Sequence, residues 1–199
     1  MITIFFDYLC PFAWRGLELA ATLFPNELRL KHFSLEQGNH PDNASRPRYD
    51  PSWKLWEQPL EATRGLGAFL ASHAAAAQGP EAQLRFALEL FRIRHRERQE
   101  LIRPVFEEAA RRARLDLSRF QRDLEDEAQR RAELASNLQE AGQLAVFGTP
   151  TFVLPEGDAA YFRFTQLITD PQEALELWSL YTSVLRSKAR IETIKRPRP

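Results

Sequence analysis

Phe5-Phe6-Asp7-Tyr8-Leu9-Cys10-Pro11-Phe12-Ala13-Trp14-Arg15-Gly16 holds the only cysteine of the 199-residue chain, and the structural period changes across it. Upstream, Met1-Ile2-Thr3-Ile4-Phe5-Phe6 has the β-branched and aromatic composition of a buried strand. Downstream, Leu17, Ala20, Ala21 and Phe24 recur at helical spacing from Ala13 onward. Pro11 suits the first position of that helix, where its missing N–H would have no intrahelical partner. Cys10 is therefore expected where a strand hands over to a helix N-terminus. Unpaired N–H groups and the helix dipole favour an anion there by about 0.3–1 kcal/mol, rising to ~2 kcal/mol when the group is partly buried. The position thus favours a reactive thiolate; the other reading of Cys10 is a buried cysteine packed as a small hydrophobe.

Further along, Pro25-Asn26 interrupts the first helix, and Leu28-Arg29-Leu30-Lys31-His32-Phe33-Ser34-Leu35 alternates at period two, the pattern of a strand with one buried face. The two strands and the helix between them form a β-α-β unit, for which parallel pairing and a right-handed crossover are expected. Residues 37–51 turn to Gly, Asn, Asp and Ser with Pro41, Pro47 and Pro51, an exit loop that Pro59 closes after Trp53 and Trp56. Residues 59–141 are helical by pattern. A first helix covers Leu60 to Ala77, weakened at Gly65 and Gly67, and Gly79-Pro80 opens a second with Leu84, Ala87, Leu88 and Phe91 on one stripe. The third carries Leu101, Ile102, Val105, Phe106, Ala109, Ala110 and Ala113, with Pro104 at its start or at a kink. Ser118 and Gln121 read as a capping box for a fourth helix whose apolar face is Phe120, Leu124, Ala128, Leu134 and Leu138. Gly142 is expected to end it at the C′ position. Leu144 to Leu154 returns to strand composition around Gly148-Thr149-Pro150, where a proline argues against an ordinary central strand position. Pro155-Glu156-Gly157-Asp158 reads as a turn and Tyr161-Phe162-Arg163-Phe164 as the second strand of a hairpin. Asp170-Pro171-x-Glu173 opens a last helix with Leu175, Trp178, Tyr181 and Leu185 as its stripe.

A strand followed by Cys-Pro at a helix start resembles the thioredoxin superfamily, and Asp7-x-x-Cys10-Pro11-Phe12-x-Trp14-x-Gly16 resembles its DsbA-like branch, in particular the FrnE-type proteins. The resemblance implies an α/β thioredoxin-like fold in which β-α-β and β-β-α flank a large helical insertion. Residues 1–38 and 142–199 would be the thioredoxin-like domain and 39–141 the insertion domain. It implies that Gly148-Thr149-Pro150-Thr151-Phe152 is the family's cis-proline motif facing the active cysteine. An X-Pro cis bond costs only about 0.5–1 kcal/mol relative to trans, so a fold can enforce it. By the same resemblance Cys10 is the catalytic thiol, and Pro11, Phe12, Ala13, Trp14, Thr149 and Pro150 form the substrate-binding surface. The backbone of Thr149 would pair with an extended peptide or with glutathione. The family's active site is Cys-x-x-Cys, and here the second position is Ala13, which excludes an intramolecular disulfide. Implied partners are glutathione, as the one candidate cosubstrate, or a cysteine-containing protein or peptide client; no other cofactor is expected.

Other residues carry two readings each. Tyr8, Phe12 and Trp14 are either an apolar rim for a substrate or core. Asp7 either tunes the Cys10 thiol or caps the helix. His32, His40, His73 and His95 have no ligand spacing with one another or with Cys10, so no metal site is expected. Arg92-Ile93-Arg94-His95-Arg96-Glu97-Arg98 reads as a solvated face or as a site for an anionic cosubstrate such as a glutathione carboxylate.

Lys+Arg and Asp+Glu are equal at 27, which gives no electrostatic bias toward nucleic acid or acidic membranes. With 44% hydrophobic residues and 14 Phe the chain has ample core material, enough to bury around 70% of its unfolded surface. No run is long and apolar enough to span a bilayer, and a single cysteine suits a reducing compartment, so a soluble cytoplasmic protein is expected. The basic tail Ile194-Lys195-Arg196-Pro197-Arg198-Pro199 reads as a frayed end. Three function classes follow: a monothiol oxidoreductase working by mixed disulfide; a glutathione-dependent isomerase or transferase like the 2-hydroxychromene-2-carboxylate isomerase and kappa-class glutathione transferase relatives; and a non-catalytic binding protein that keeps the groove.

Overall fold

The computed structural model describes residues 1–195, so the end of the basic tail lies outside the described residues. Four strands form one mixed sheet in the order β2-β1-β3-β4. The strands are β1 (Ile2–Phe6), β2 (Leu28–His32), β3 (Thr151–Val153) and β4 (Ala159–Tyr161). β1 and β2 run parallel, with Ile2 opposite Leu28 and Phe6 opposite His32. β1 pairs antiparallel with β3, Phe5 opposite Thr151, and β3 with β4. Helix α1 (Pro11–Leu23) joins β1 to β2, with Pro11 in its first turn and Cys10 at its N-cap. The sheet topology is the one the two sequence halves imply. The strands are shorter than read: β2 stops at His32, and β4 begins at Ala159 and ends at Tyr161, so Phe162 to Phe164 lie beyond the ladder.

Between the halves come α2 (Leu35–Gly38), α3 (Leu66–Ala76), α4 (Pro80–His95), α5 (Arg103–Arg112), α6 (Leu117–Glu125) and α7 (Glu127–Gln143); α8 (Pro171–Leu185) follows the hairpin. Several helix ends differ from expectation, each for a local reason. Leu60–Ala62 is only a 3-10 turn, and α3 starts after Gly65. Pro104 takes the second helical position of α5, where no N–H is needed, and makes no kink. α6 is capped by Asp116, which accepts from Arg119 N, so Ser118 is not the cap. The fourth expected helix is two: Asp126 closes α6 and, accepting from Gln129 N, opens α7. After that break Ala128 is exposed and Arg130 is buried. Gly142 lies inside α7 and not after it; a Cβ there would meet the Arg48 carbonyl at 2.5 Å, so the glycine admits a crossing loop. After α7 the residue with positive φ is Ala145, at 53°. On α8 the buried stripe runs through Ala174, Trp178 and Tyr181, whereas Leu175 is 51% exposed.

Burial explains the layering. Ile4 and Phe6 of β1 face a core shared with Leu17 of α1, Phe69 of α3 and Phe91 of α4, while Phe5 faces the other way toward Phe33, Ala141 and Val146. β1 is thus covered on both sides, as its uninterrupted apolar composition requires. Asn137 of α7 accepts the His32 N–H at 3.0 Å and closes that part of the β2 edge. Among the described residues no helix is long and apolar enough to cross a membrane.

Candidate active site

The site forms where α1 begins. Phe6 ends β1, Asp7 to Leu9 turn the chain, and Cys10 has extended backbone (φ −95°, ψ 113°) before Pro11 starts the helix. Both carboxylate oxygens of buried Asp7 are used here, Oδ1 accepting from Leu9 N and Oδ2 from Leu35 N, each at 2.8 Å. Asp7 therefore does not cap α1; both its oxygens are spent on tying the β1–α1 turn to the start of α2. Burial pushes its carboxyl up to about 6, against the pull of those two N–H groups.

Opposite Cys10 stands the turn before β3. The Thr149–Pro150 peptide bond is cis, and Thr151 Oγ1 donates to the Gly148 carbonyl at 2.8 Å, closing the turn. Cys10 Sγ donates to the Thr149 carbonyl at 3.4 Å, joining positions 139 residues apart. α1 reaches this turn because residue 16 is glycine: a Cβ on Gly16 would lie 2.5 Å from Pro150 Cγ. At the helix start Ala13 N and Trp14 N both donate to the Cys10 carbonyl, and Pro11 has no N–H. The Phe12 N–H is left without a partner among the described residues, as expected of a first-turn donor.

The expected surface residues divide by accessibility. Pro11, Phe12 and Trp14 are half-buried and Pro150 is buried. Cys10 keeps 6% of its surface, Thr149 2% and Ala13 none, so Ala13 offers no contact area to a substrate: it sits on the inner face of α1. Tyr8 belongs to the core and not to a rim, enclosed by Phe6, Phe69 and Phe91. Trp14 Nε1 donates to Glu18 Oε1 at 3.1 Å, and Arg92 of α4 grips the same carboxylate through Nε at 3.1 Å. Arg92 also binds Glu89, and Arg94 donates to the Gln99 carbonyl. Arg92 is thereby committed to carboxylates of this chain, so the Arg-rich run does not supply it as an anion site. His95 Nε2 lies 2.9 Å from the Tyr8 carbonyl, and its ring stacks on Trp14, so α4 holds both the turn and the helix that flank Cys10. Burial lowers the His95 imidazole to about 4, with Arg94 and Arg15 adding to the effect against the Tyr8 carbonyl.

Two groupings escape a reading by sequence spacing. His32 and His73, apart by 41 residues, meet at 3.0 Å between Nδ1 and Nε2. His32 Nε2 then touches Ser72 Oγ at 2.9 Å, Tyr8 Oη donates to that oxygen at 2.9 Å, and His73 Nδ1 faces Glu133 Oε2 at 3.5 Å. Burial holds both imidazoles well below their usual range, His73 at about 3, with Arg130 and Lys31 acting on it in the same direction. The readable signal was parity: His32 shares the buried register of Leu28 and Leu30 on β2. The second grouping is at the mouth of the site, where Arg15 and Arg163 lie over the Phe12 ring at 5.2 and 3.8 Å from its centroid. Nothing local in the sequence pairs Arg163 with Phe12.

What this geometry provides is one thiol at a helix start, a backbone carbonyl against it, and no second sulfur. Three solved structures share the fold at low identity. The cytosolic disulfide reductase DsbM from Pseudomonas aeruginosa, solved with GSH, is 17% identical with a TM-score of 0.58, covering 91% of this chain and 98% of that one. A probable DsbA oxidoreductase from Streptomyces coelicolor is 16% identical with a TM-score of 0.59, covering 89% of each chain. A 2-hydroxychromene-2-carboxylate isomerase is 15% identical with a TM-score of 0.60, covering 94% and 97%. No curated protein sequence matches the chain. The sequence profile of the DSBA-like thioredoxin domain matches residues 1–176, and with that match over most of its length this chain belongs to the DSBA-like thioredoxin family.

Proposed function

We propose that this protein is a thiol–disulfide oxidoreductase acting through Cys10 alone, with glutathione or a cysteine-containing client as its partner. The observation that carries the reading is the 3.4 Å contact between Cys10 Sγ and the carbonyl of Thr149, the residue before Pro150. In the reaction the Cys10 thiolate attacks one sulfur of a disulfide, a new S–S bond forms to Cys10, and the other sulfur leaves as a thiolate. A glutathione thiolate then attacks the mixed disulfide, releasing Cys10 and carrying away the bound half. With the sulfur engaged, the Thr149 carbonyl is freed for a main-chain N–H of the bound partner, while the Phe12 N–H and the start of α1 favour the developing negative charge. Ala13 has no thiol to resolve the intermediate, so an outside thiol must do so, and the glutathione-rich cytoplasm is the compartment that supplies one.

A second reading, a binding protein that has kept the groove without the chemistry, is favoured by the near-complete burial of Cys10. A third, the glutathione-dependent isomerase or transferase, would hold glutathione at the same helix start without a covalent bond. Incubation with oxidised glutathione followed by intact-mass measurement tests all three. A single glutathionyl adduct, lost in Cys10→Ser, is the expected result. Glutathione retained in native mass spectra without an adduct supports the third reading, and neither adduct nor binding supports the second.

A further inference from the structure

We propose that Arg15 and Arg163 make the mouth of Cys10 selective for anionic thiol ligands, an inference that rests on the thiol chemistry assigned above. Phe12 stands two residues from Cys10, so their Cα atoms are at most about 7.6 Å apart. Over its ring lie two guanidiniums from different parts of the fold, Arg15 one turn along α1 and Arg163 from the segment after β4. Among the described residues neither has a carboxylate within ion-pair distance, whereas nearby Arg92 is neutralised by Glu18 and Glu89. Arg15 spends one N–H on the Pro11 carbonyl at 3.2 Å and keeps the rest of its fork free. Arg163 is exposed, and among the described residues its guanidinium meets the Phe12 ring with no hydrogen bond or ion pair to other groups. Stacked guanidiniums with free edges bind carboxylates in bidentate fashion. Thr149, whose carbonyl meets the same thiol, also has a buried hydroxyl without a partner among the described residues.

The ligand chemistry is therefore a disulfide whose substituents carry carboxylates close to the sulfur, whether a small peptide thiol or an acidic segment around a client cysteine. The attraction of exposed cations is screened over a Debye length of about 10 Å at 0.1 M salt, so the preference should weaken as salt is added. Steering of this kind raises association rates by roughly 10- to 1,000-fold.

The test measures mixed-disulfide formation by mass with three aliphatic disulfides of similar size: dianionic dithiodiglycolate, neutral bis(hydroxyethyl) disulfide and dicationic cystamine. Each rate is divided by that of a free cysteine peptide with the same reagent, which removes intrinsic reactivity. In every case Cys10 gains an S–S bond and one half of the reagent departs as thiolate. The wild type is expected to favour the dianion over the neutral reagent by about tenfold at low salt, and cystamine to be slowest. Arg163→Gln and Arg15→Gln should each reduce that ratio, and the double variant should bring it near unity. Equal normalised rates in the wild type, or a ratio unchanged in the double variant, would overturn the selectivity while leaving the thiol chemistry standing. No reaction with any reagent would remove both.

Discussion

Gly16→Ala tests the approach of α1 to Pro150 directly. An alanine methyl would lie 2.5 Å from Pro150 Cγ and 2.8 Å from Pro150 Cβ, with Phe152 Cζ behind at 3.4 Å. Carbon atoms in contact settle at about 3.5–4.0 Å, so helix and proline must part by about 1 Å. Two effects compete. Alanine is the better helix former by about 1 kcal/mol at an interior position, and overpacking a filled interface costs about 1–3 kcal/mol. The clash should win, because the proline ring has no rotamer to turn away into and Phe152 is fully buried beside it. A net loss of up to about 2 kcal/mol follows, small enough against a typical stability of 5–15 kcal/mol for the variant to fold. The larger consequence is local: displacing Pro150 carries the Thr149 carbonyl away from Cys10, and a misplacement of that size can cost up to about a hundredfold in rate. Urea denaturation and the rate of adduct formation with oxidised glutathione measure the two effects separately. Lower midpoint with unchanged slope, together with slower adduct formation, is expected. A variant stabilised by about 1 kcal/mol would show that α1 does not press on Pro150 and would refute the reasoning.

The wild type should show little dithiol-type insulin reduction, and Ala13→Cys should gain it, because residues 10 and 13 lie one turn apart on one face of α1. A four-residue loop of this kind stabilises the oxidised form by about 2 kcal/mol on the chain-entropy estimate, and failure of the variant to lose two hydrogens by mass when treated with oxidised glutathione, which is reduced in exchange, would count against the shape assigned to this helix start. Stability should fall as pH drops from about 6.5 toward 4. His32, His73 and His95 are held below their unfolded values and take up protons on unfolding, each adding a slope of about 1.4 kcal/mol per pH unit. Asp7, raised to about 6, opposes them between about 4 and 6, because there the folded state is the one that holds the proton. Urea midpoints across this range should show the net fall, and His73→Gln should flatten it by about one proton; a wild-type profile independent of pH would refute it.

Most of what was legible in the sequence was local backbone chemistry. Cys10-Pro11 and Asp170-Pro171 announce helix starts because the residues that satisfy those starts sit side by side, and both stand where read. Period two located β2 and apolar composition located β1 for the same reason, although β2 ends at His32, before the end of the alternating run. Where neighbouring residues offered equivalent chemistry, the reading slipped: Asp116 and Ser118 are both acceptors ahead of the same apolar run, and only the bond to Arg119 N decides between them. The break at Asp126 has neither glycine nor proline to mark it, and helical spacing continues across it. The meeting of His32 with His73, and of Arg163 with Phe12, depends on tertiary packing that no spacing encodes. A buried imidazole demands a partner, so parity could show that His32 needed one but not which residue would provide it.

The run from Tyr8 through Ser72, His32 and His73 to Glu133 has a direction as well as a geometry. Glu133 Oε2 approaches His73 Nδ1 to 3.5 Å without a hydrogen bond, but a carboxylate repels the lone pair of a bare nitrogen and so favours hydrogen on His73 Nδ1, which leaves His73 Nε2 bare. His32 must then give from Nδ1 and receive at Nε2, so Ser72 gives to it and in turn receives from Tyr8. Reversing any one member would set two hydrogens, or two lone pairs, against each other. The whole file is therefore biased from one end, and a half-buried side chain on α7 favours one tautomer of a buried imidazole at the end of the edge strand β2. Glu133→Gln, which can give as well as receive, would release that choice and leave the two rings free to exchange between two opposite senses.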